Sequence, residues 1–352
     1  MRSKIMEIIN NMPVATLTLC NKGKDAEGKP VNTPKESGEY LISDHLAQAA
    51  VINSPKGEIG IASWNMWCPT SRLGPVFGKA WDKMGYVVVD ETQRKEHIVK
   101  AAQYIVSLFA AGLSAMALQE VPQIEIEGVY FELLCAKLEE FGKAEDIQFD
   151  LHTFRSTFRL TKEPGQETFH TFGTAFLSLS GFCTVTSQEA ILKDRGQKYG
   201  IQLANGEKWT IFNHHGDFVN SLAAVKFYQD ALGSTPNALI CADANIPRSN
   251  QNVEKLGDLA KLDETYKTLA SLAGVANAIE QHTEQLAKEG AKPVNTTLDL
   301  MLSNMPARFV AKAGLENFAA APAPVNPNRL FGQSKPAEGD KSSLEAVFFR
   351  FC

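Results

Sequence analysis

The stretch Ala238-Leu239-Ile240-Cys241-Ala242-Asp243-Ala244-Asn245 is typical of a buried strand that ends on an acid and an amide. Side chains two residues apart along a strand face the same side, so Asp243 and Asn245 are expected to emerge together. A carboxylate and a carboxamide at one strand end are suited to hold a divalent metal and a phosphate. Asp and Asn after a strand also form ordinary turns, so the significance of this stretch comes from similar strand ends elsewhere in the chain.

Four other segments share the design of an apolar strand followed by polar side chains that can converge. They are Ile61-Ala62-Ser63-Trp64-Asn65, Ala117-Leu118-Gln119-Glu120-Val121, Ile211-Phe212-Asn213-His214-His215 and Thr297-Leu298-Asp299-Leu300-Met301-Leu302-Ser303. Hydrolysis of a phosphodiester needs a hard cation with oxygen ligands, a base that orients water, and donors that stabilise the transition state. Glu120 and Asp299 have the strongest case, because an acid beside or inside an apolar strand is costly to bury unless it is paired or metal-bound.

Composition indicates a globular chain that can bury a substantial core. Of the 352 residues, 44% are hydrophobic and 21% are charged, which predicts one large domain or two ordinary ones. No break in composition requires two domains, so residues 1–352 are predicted to form one, with 1–40 as an N-terminal extension or additional strand. The net charge of -5 argues against bulk electrostatic attraction to nucleic acid or to an anionic membrane.

The cysteines and the N-terminus give little indication of export. The six cysteines are far apart and contain no C-x-x-C, so we expect reduced, mostly buried thiols and no zinc or redox motif. No apolar run reaches transmembrane length, and the N-terminus is a poor signal peptide. A cytoplasmic location is therefore the expectation, although specialised export would leave no mark readable in this sequence.

Hydrophobic periodicity predicts many strands mixed with a few helices, which is typical of sheets covered by helices in an α/β fold. The predicted helices cover 92–112, 127–141, 219–232 and 253–285. Polar or Pro-rich loops are predicted over 21–38 and 316–341. Strands are predicted over 14–20, 57–66, 114–121, 146–154, 171–179, 182–187, 198–203, 208–213, 238–243, 297–303 and 344–351.

The five strand-end motifs resemble the endonuclease/exonuclease/phosphatase superfamily, the metal-dependent phosphodiesterases that include pancreatic-type deoxyribonuclease. That family has, in order, an Asn after the first strand, Gln-Glu, Asn-x-His, Asp-x-Asn, an Asp-x-x-x-x-Ser strand and a terminal Ser-Asp-His. The first five occur here in this order over residues 61–303, and Gly173-Thr174-Ala175-Phe176-Leu177-Ser178 is similar to the family's central strand. The resemblance implies a four-layer α/β/β/α sandwich of two mixed sheets and hydrolysis of a phosphoester with Mg²⁺ or Mn²⁺.

The resemblance also implies a role for each matching residue. Glu120 would be the principal metal ligand, helped by Asn65. Asp243 would orient or activate the attacking water, while Asn245 and His215 would contact phosphate oxygens. Family register favours His215, although His214 could point inward instead, because neighbours in a strand alternate.

The sequence departs from the family at the last histidine, which Asp299 would pair with. The C-terminal segment Gly339-Asp340-Lys341-Ser342-Ser343-Leu344 contains no His, and the chain's one Ser-Asp-His is Ser43-Asp44-His45. The segment Asn53-Ser54-Pro55-Lys56-Gly57 is suited to a hairpin loop that would join this strand to the first family strand. We therefore expect a circularly permuted arrangement in which His45 completes the site and pairs with Asp299, with Asp44 as a further metal candidate. In the rival interpretation, Ser43-Asp44 is a helix N-cap and a helix begins at His45.

The sequence leaves open more than one substrate class, and it also leaves open a protein without activity. Nucleic acid is the commonest substrate in the family, but a lipid or nucleotide phosphate is an alternative. A second alternative, from another class, is a catalytically inactive binding protein on the same fold, which the absence of a C-terminal His favours. Retention of Glu120, Asp243, Asn245 and His215 argues against it.

Overall fold

A computed structural model describes most of the chain up to residue 310. The described residues are 1–24, 26–27, 30–43, 45–55, 57–66, 91–122, 124–160, 168–193, 195–216, 220–246, 264–265, 267–268, 271–272, 278–282 and 297–310. The loop predicted over 316–341, the strand predicted over 344–351 and Asp44 lie outside these residues.

Four helices lie in the described part of the chain: α1 (Arg2–Asn10), α2 (Glu91–Ala110), α3 (Ile124–Ala144) and α4 (Ser221–Ser234). The last three confirm the helices predicted over 92–112, 127–141 and 219–232. Sequence analysis missed α1, which buries Ile5 and Ile9 one helical turn apart. Among the described residues, no helix combines the length and apolarity needed to cross a membrane.

The described residues also form fourteen strands. They are β1 (Val14–Lys24), β2 (Pro30–Leu41), β3 (Gln48–Ser54), β4 (Gly57–Asn65), β5 (Leu113–Val121), β6 (Phe149–Leu160), β7 (Thr168–Leu179), β8 (Cys183–Ile191), β9 (Gly196–Leu203), β10 (Lys208–His215), β11 (Ala238–Ile246), β12 (Ala278–His282), β13 (Thr297–Ser303) and β14 (Ala307–Val310). They confirm the strands predicted over 14–20, 57–66, 114–121, 171–179, 182–187, 198–203, 208–213, 238–243 and 297–303 to within about four residues at each end. The strand predicted over 146–154 begins later and extends to Leu160, and β14 was not predicted.

Two mixed six-stranded sheets form the centre of the molecule. Their strand orders are β14-β3-β4-β5-β7-β6 and β12-β13-β11-β10-β9-β8. In each sheet one pair is parallel, β4 with β5 and β10 with β11, and the other neighbours are antiparallel. The run β3-β4-β5-β7-β6 and the run β9-β10-β11-β13-β12 therefore repeat one arrangement. The α/β fold class predicted from the sequence is confirmed.

The buried apolar residues form three layers of contact. Helices α1 to α3 pack on the outer face of the first sheet, for example through Ile5, Ile98 and Leu134. The two sheets pack on each other through residues such as Ile61 and Ile211. Helix α4 covers the outer face of the second sheet. The layers thus follow the order helix, sheet, sheet, helix that the family resemblance implies.

The loop predicted over 21–38 is wrong for residues 21–24 and 30–38, which are strand, whereas the described residues 26–27 between them form a turn. Strands β1 and β2 form a separate antiparallel two-stranded sheet, paired from Val14 with Leu41 to Lys24 with Pro30. The Gly, Pro and Lys residues there suggested a loop, but the backbone ladder to the neighbouring strand outweighs their weak strand propensity.

One further prediction is wrong in part, and the rival interpretation of Ser43-Asp44 fails. Part of the helix predicted over 253–285 is instead strand β12, which pairs with β13 at the edge of the second sheet, so tertiary pairing outweighs local helix propensity. Residues 264–265, 267–268 and 271 of that prediction are helical, and residues 253–263, 266, 269–270, 273–277 and 283–285 lie outside the described residues. The rival helix after Ser43 is not found, because the described residues 45–47 are not helical and the chain from Gln48 onward is β3. Strands β3 and β4 pair as the predicted hairpin, with Ser54 opposite Gly57.

Candidate active site

The polar strand ends converge because they share the face between the two sheets. In β11, Leu239 and Cys241 belong to the core between the sheets, whereas Ile240 and Ala242 pack toward α4. Asp243 continues the inter-sheet face by alternation. The same alternation puts further polar side chains on this face from both sheets, namely Asn65, Gln119, Asn213, His215 and Asp299.

The first group of contacts joins Asn65, Glu120, His215 and Asp243. Nδ2 of Asn65 donates to Oε1 of Glu120 at 3.2 Å and to Oδ2 of Asp243 at 2.8 Å. Nε2 of His215 lies 3.5 Å from each of the same two carboxylate oxygens. All four residues are buried, so the sequence-predicted residues from β4, β5, β10 and β11 meet in one place.

The second group joins His45 to Asp299. Nδ1 of His45 lies 2.9 Å from Oδ2 of Asp299, the contact that sequence analysis expected. Both side chains are buried, and a ligand atom of each lies within 4.8 Å of one on Asp243. Asp243 therefore belongs to both groups and links the first sheet's residues to the His45–Asp299 pair.

The orientation of Glu120 depends on a β-bulge. Alternation along β5 would turn Glu120 toward the helices, the direction taken by Met116 and Leu118. The β5–β7 register shifts between Leu118 and Val121, and Glu120 has φ +52°, the left-handed region that is uncommon for residues other than glycine. This backbone turns the Glu120 carboxylate into the site.

The second sheet has a bulge at the equivalent place. The β11–β13 register shifts between Asp243 and Ile246, and Asn245 has φ +49°. The backbone N–H of Asn245 donates to Oδ1 of Asp243 at 3.2 Å, and its Nδ2 donates to the Gly216 carbonyl at 3.3 Å. Asn245 thus lies beside Asp243, at the rim of the buried group rather than inside it.

The two neighbouring histidines face opposite sides of the second sheet. Nδ1 of His214 is 2.5 Å from the hydroxyl of Tyr228 on α4, whereas the ring of His215 faces Glu120 and Asp243. The alternation of a strand accounts for this division, and it leaves His215 as the histidine of β10 that reaches the site.

Arg195 is a contributor that sequence analysis missed. Its Nε donates to the His215 carbonyl at 3.0 Å and its Nη2 donates to the Gly216 carbonyl, while the Gly216 N–H donates to the Asp243 carbonyl at 2.6 Å. Burial lowers the pKa of His215 well below its usual range, and the positive charge of Arg195 acts in the same direction. The turn between β8 and β9 that carries Arg195 contains no motif that would have indicated this role.

The donor set fits a hard divalent cation. Ligand atoms of Glu120, His215 and Asp243 lie within 4.8 Å of one another. Two buried carboxylates at this separation repel each other, and a bound cation would offset that repulsion. Carboxylate and amide oxygens are the ligands that Mg²⁺ and Mn²⁺ prefer. Nδ2 of Asn65 faces both carboxylates. The Asn65 amide would therefore have to flip before its Oδ1 could become a metal ligand.

Comparison with known proteins adds no assignment: the chain matches no family model, and no curated protein matches it. The resemblance to the endonuclease/exonuclease/phosphatase superfamily therefore rests on the five motifs and stays a prediction.

Proposed function

We propose that this chain is a Mg²⁺- or Mn²⁺-dependent phosphoester hydrolase whose preferred substrate is a phosphodiester. The observation that carries the proposal is the contact of Glu120, Asp243 and His215 in one buried group, with the His45–Asp299 pair beside it. A carboxylate-rich site with two histidines contains the acid–base groups and the cation ligands that this reaction needs.

Glu120 and Asn65 would hold the metal, with Asp44 as a further predicted ligand. When bound, a divalent cation supplies charge that stabilises the phosphate oxygens and the departing oxygen. In support, the bulge in β5 turns the Glu120 carboxylate into the buried group, and Nδ2 of Asn65 donates to the carboxylates of both Glu120 and Asp243.

Asp243 is the proposed group that orients the attacking water. Its carboxylate is almost fully buried, and Oδ1 accepts the backbone N–H of Asn245, which fixes the plane of the carboxylate. A carboxylate held in this way can accept a hydrogen bond or a proton from water.

His45 and His215 are the proposed donors to the phosphate. Asp299 accepts from Nδ1 of His45, so the ring is held in one orientation and Nε2 is the nitrogen left to exchange a proton with substrate. His215, whose neutral form burial favours, and Asn245 would donate hydrogen bonds to other phosphate oxygens.

A substrate panel tests this function. Single-stranded DNA, duplex DNA, RNA, a phosphoinositide, a nucleotide and a chromogenic phosphodiester are each incubated with Mg²⁺, Mn²⁺ or EDTA, with wild type beside Asp243→Asn. Turnover that requires both the metal and Asp243 would support the proposal and rank the substrate classes. Absence of turnover together with absence of metal binding would favour an inactive binding protein on this fold.

A further inference from the structure

Asn213 is a fully buried residue on β10 that reaches across to the first sheet. Its Nδ2 donates to the carbonyl of Leu118 on β5 at 3.0 Å and to the carbonyl of Ala175 on β7 at 2.9 Å. Its Oδ1 accepts from Nε2 of Gln119 at 2.8 Å. One amide therefore satisfies three groups that belong to two strands of the opposite sheet.

These three groups surround the bulge that turns Glu120. Leu118 and Ala175 lie opposite each other and form the last regular pair of the β5–β7 ladder before the register shift. Gln119 is the first residue of the bulge, and Glu120 follows it with a left-handed backbone. A non-glycine residue keeps such a backbone only when its surroundings hold it there.

Gln119 extends this support back to β4. Its Nε2 also donates to Oγ of Ser63 at 3.3 Å, and both side chains are buried. The side chain that precedes Glu120 is thus anchored to both sheets. Ser63 is two residues before Asn65, so the same anchor lies next to the other proposed ligand.

We propose that Asn213 is a positioning residue that holds the β5 bulge from the opposite sheet and thereby aims the Glu120 carboxylate at the metal. This inference rests on the proposed function for the metal itself, whereas the local effect on the bulge does not. Residues that orient metal ligands without binding the metal typically contribute roughly 10- to 100-fold to metal affinity.

Asn304 offers a matched control, because it makes the same kind of contacts elsewhere. Its Nδ2 donates to the carbonyls of Leu232 at 2.9 Å and Thr235 at 2.8 Å, and its Oδ1 accepts the N–H of Ala238 at 2.8 Å. Ala238 is at the start of β11, at the other end of that strand from Asp243. Loss of this amide removes three hydrogen bonds without touching the bulge.

The test compares Asn213→Leu with Asn304→Leu, since leucine keeps the approximate shape of asparagine and removes its polar atoms. Hydrogen–deuterium exchange is measured on peptides that contain residues 118–121, and Mn²⁺ dissociation constants are measured by direct titration. The proposal expects faster exchange at 118–121 in Asn213→Leu alone, and Mn²⁺ binding weakened by roughly 10- to 100-fold in that variant alone. If Asn213→Leu does not fold, Asn213→Ser, which keeps one donor, is measured in its place.

Exchange and Mn²⁺ affinity that change equally in the two variants, or in neither, would overturn the positioning role. A separate control distinguishes this failure from a failure of the proposed function. If Glu120→Gln binds Mn²⁺ as tightly as wild type, the proposed metal site is wrong, and the exchange comparison still decides whether Asn213 holds the bulge.

Discussion

His45 and Asp299 are 254 positions apart in the sequence, and Nδ1 of His45 lies 2.9 Å from Oδ2 of Asp299. The backbone that carries His45 is anchored to β4 on both sides. The His45 N–H donates to Oγ of Ser43 at 3.0 Å, and that hydroxyl donates to the Asn65 carbonyl at 2.7 Å. Nε1 of Trp64 donates to the His45 carbonyl at 3.0 Å. The histidine is therefore held next to a strand whose last residue is itself part of the site.

Replacement of His45 tests whether this pair belongs to the reaction. His45→Ala should lower metal-dependent phosphodiester turnover by roughly 10²- to 10⁴-fold, the contribution typical of a general acid–base group. His152→Ala, in edge strand β6, is the control and should leave turnover unchanged. A loss of less than about tenfold in His45→Ala would remove His45 from the proposed machinery.

Removal of the Glu120 charge should abolish stabilisation by metal. A cation that binds only the folded state raises the unfolding free energy by about 2.7 kcal/mol when its concentration is about 100 times its Kd. Thermal unfolding of wild type should therefore shift upward with Mg²⁺ or Mn²⁺, and Glu120→Gln should not shift. The exposed Glu189, replaced in the same way, is the control that should keep the wild-type shift.

Glu207 ties the two sheets together at the end opposite the site. Its Oε1 accepts from Oγ of Ser54 at 2.6 Å and from Nδ2 of Asn205 at 2.8 Å, and its Oε2 accepts from Nε1 of Trp209 at 3.2 Å. Glu207→Ala leaves these donors without the carboxylate and should lower the unfolding free energy by about 1–3 kcal/mol.

The matched control for Glu207 is Glu189→Ala, which removes an exposed ion pair with Lys198 and should cost at most about 1 kcal/mol. Urea unfolding measures both variants, and turnover should be unchanged in both. A Glu207→Ala protein that unfolds like the Glu189→Ala protein would show that the contact between Ser54 and Glu207 does not stabilise the fold.

Buried His97 should make the protein less stable in mild acid. Burial lowers its pKa from 6.5 to about 4, although its Nε2 donates to the Ile42 carbonyl. The unfolded chain therefore takes up this proton first, so stability falls as the pH drops from about 6.5 to about 4, by roughly 3 kcal/mol in all. Urea unfolding across this range should show a shallower pH dependence in His97→Gln. Equal slopes in the two proteins would contradict the prediction.

The convergence of the site could be predicted from the sequence because the signal is local at each strand end. Asn65, His215, Asp243 and Asp299 each follow or interrupt an apolar strand, and strand alternation puts them on the inter-sheet face. The position of His45 followed from its Ser-Asp-His context and from a hairpin-like segment that leads into β4.

The two bulges, the contacts of Asn213 and strand β12 depend on tertiary contacts that the local sequence does not encode. No glycine marks the left-handed backbone at Glu120 or Asn245, so neither bulge could be predicted. Asn213 belongs to the Asn-x-His motif at the end of β10, but its contacts with Leu118 and Ala175 come from the packing of one sheet on the other. Strand β12 forms through pairing with β13, which outweighs its local helix propensity.

The most direct test of the proposed hydrolytic site measures turnover of a chromogenic phosphodiester against the free Mn²⁺ concentration, on protein whose Mn²⁺ affinity is titrated in the same buffer. We expect turnover and binding to reach half-saturation at the same Mn²⁺ concentration, and turnover to be lost in EDTA and in Asp243→Asn. Turnover that persists in EDTA, or that Asp243→Asn retains in full, would contradict the assignment of this buried group as a metal-dependent hydrolytic site.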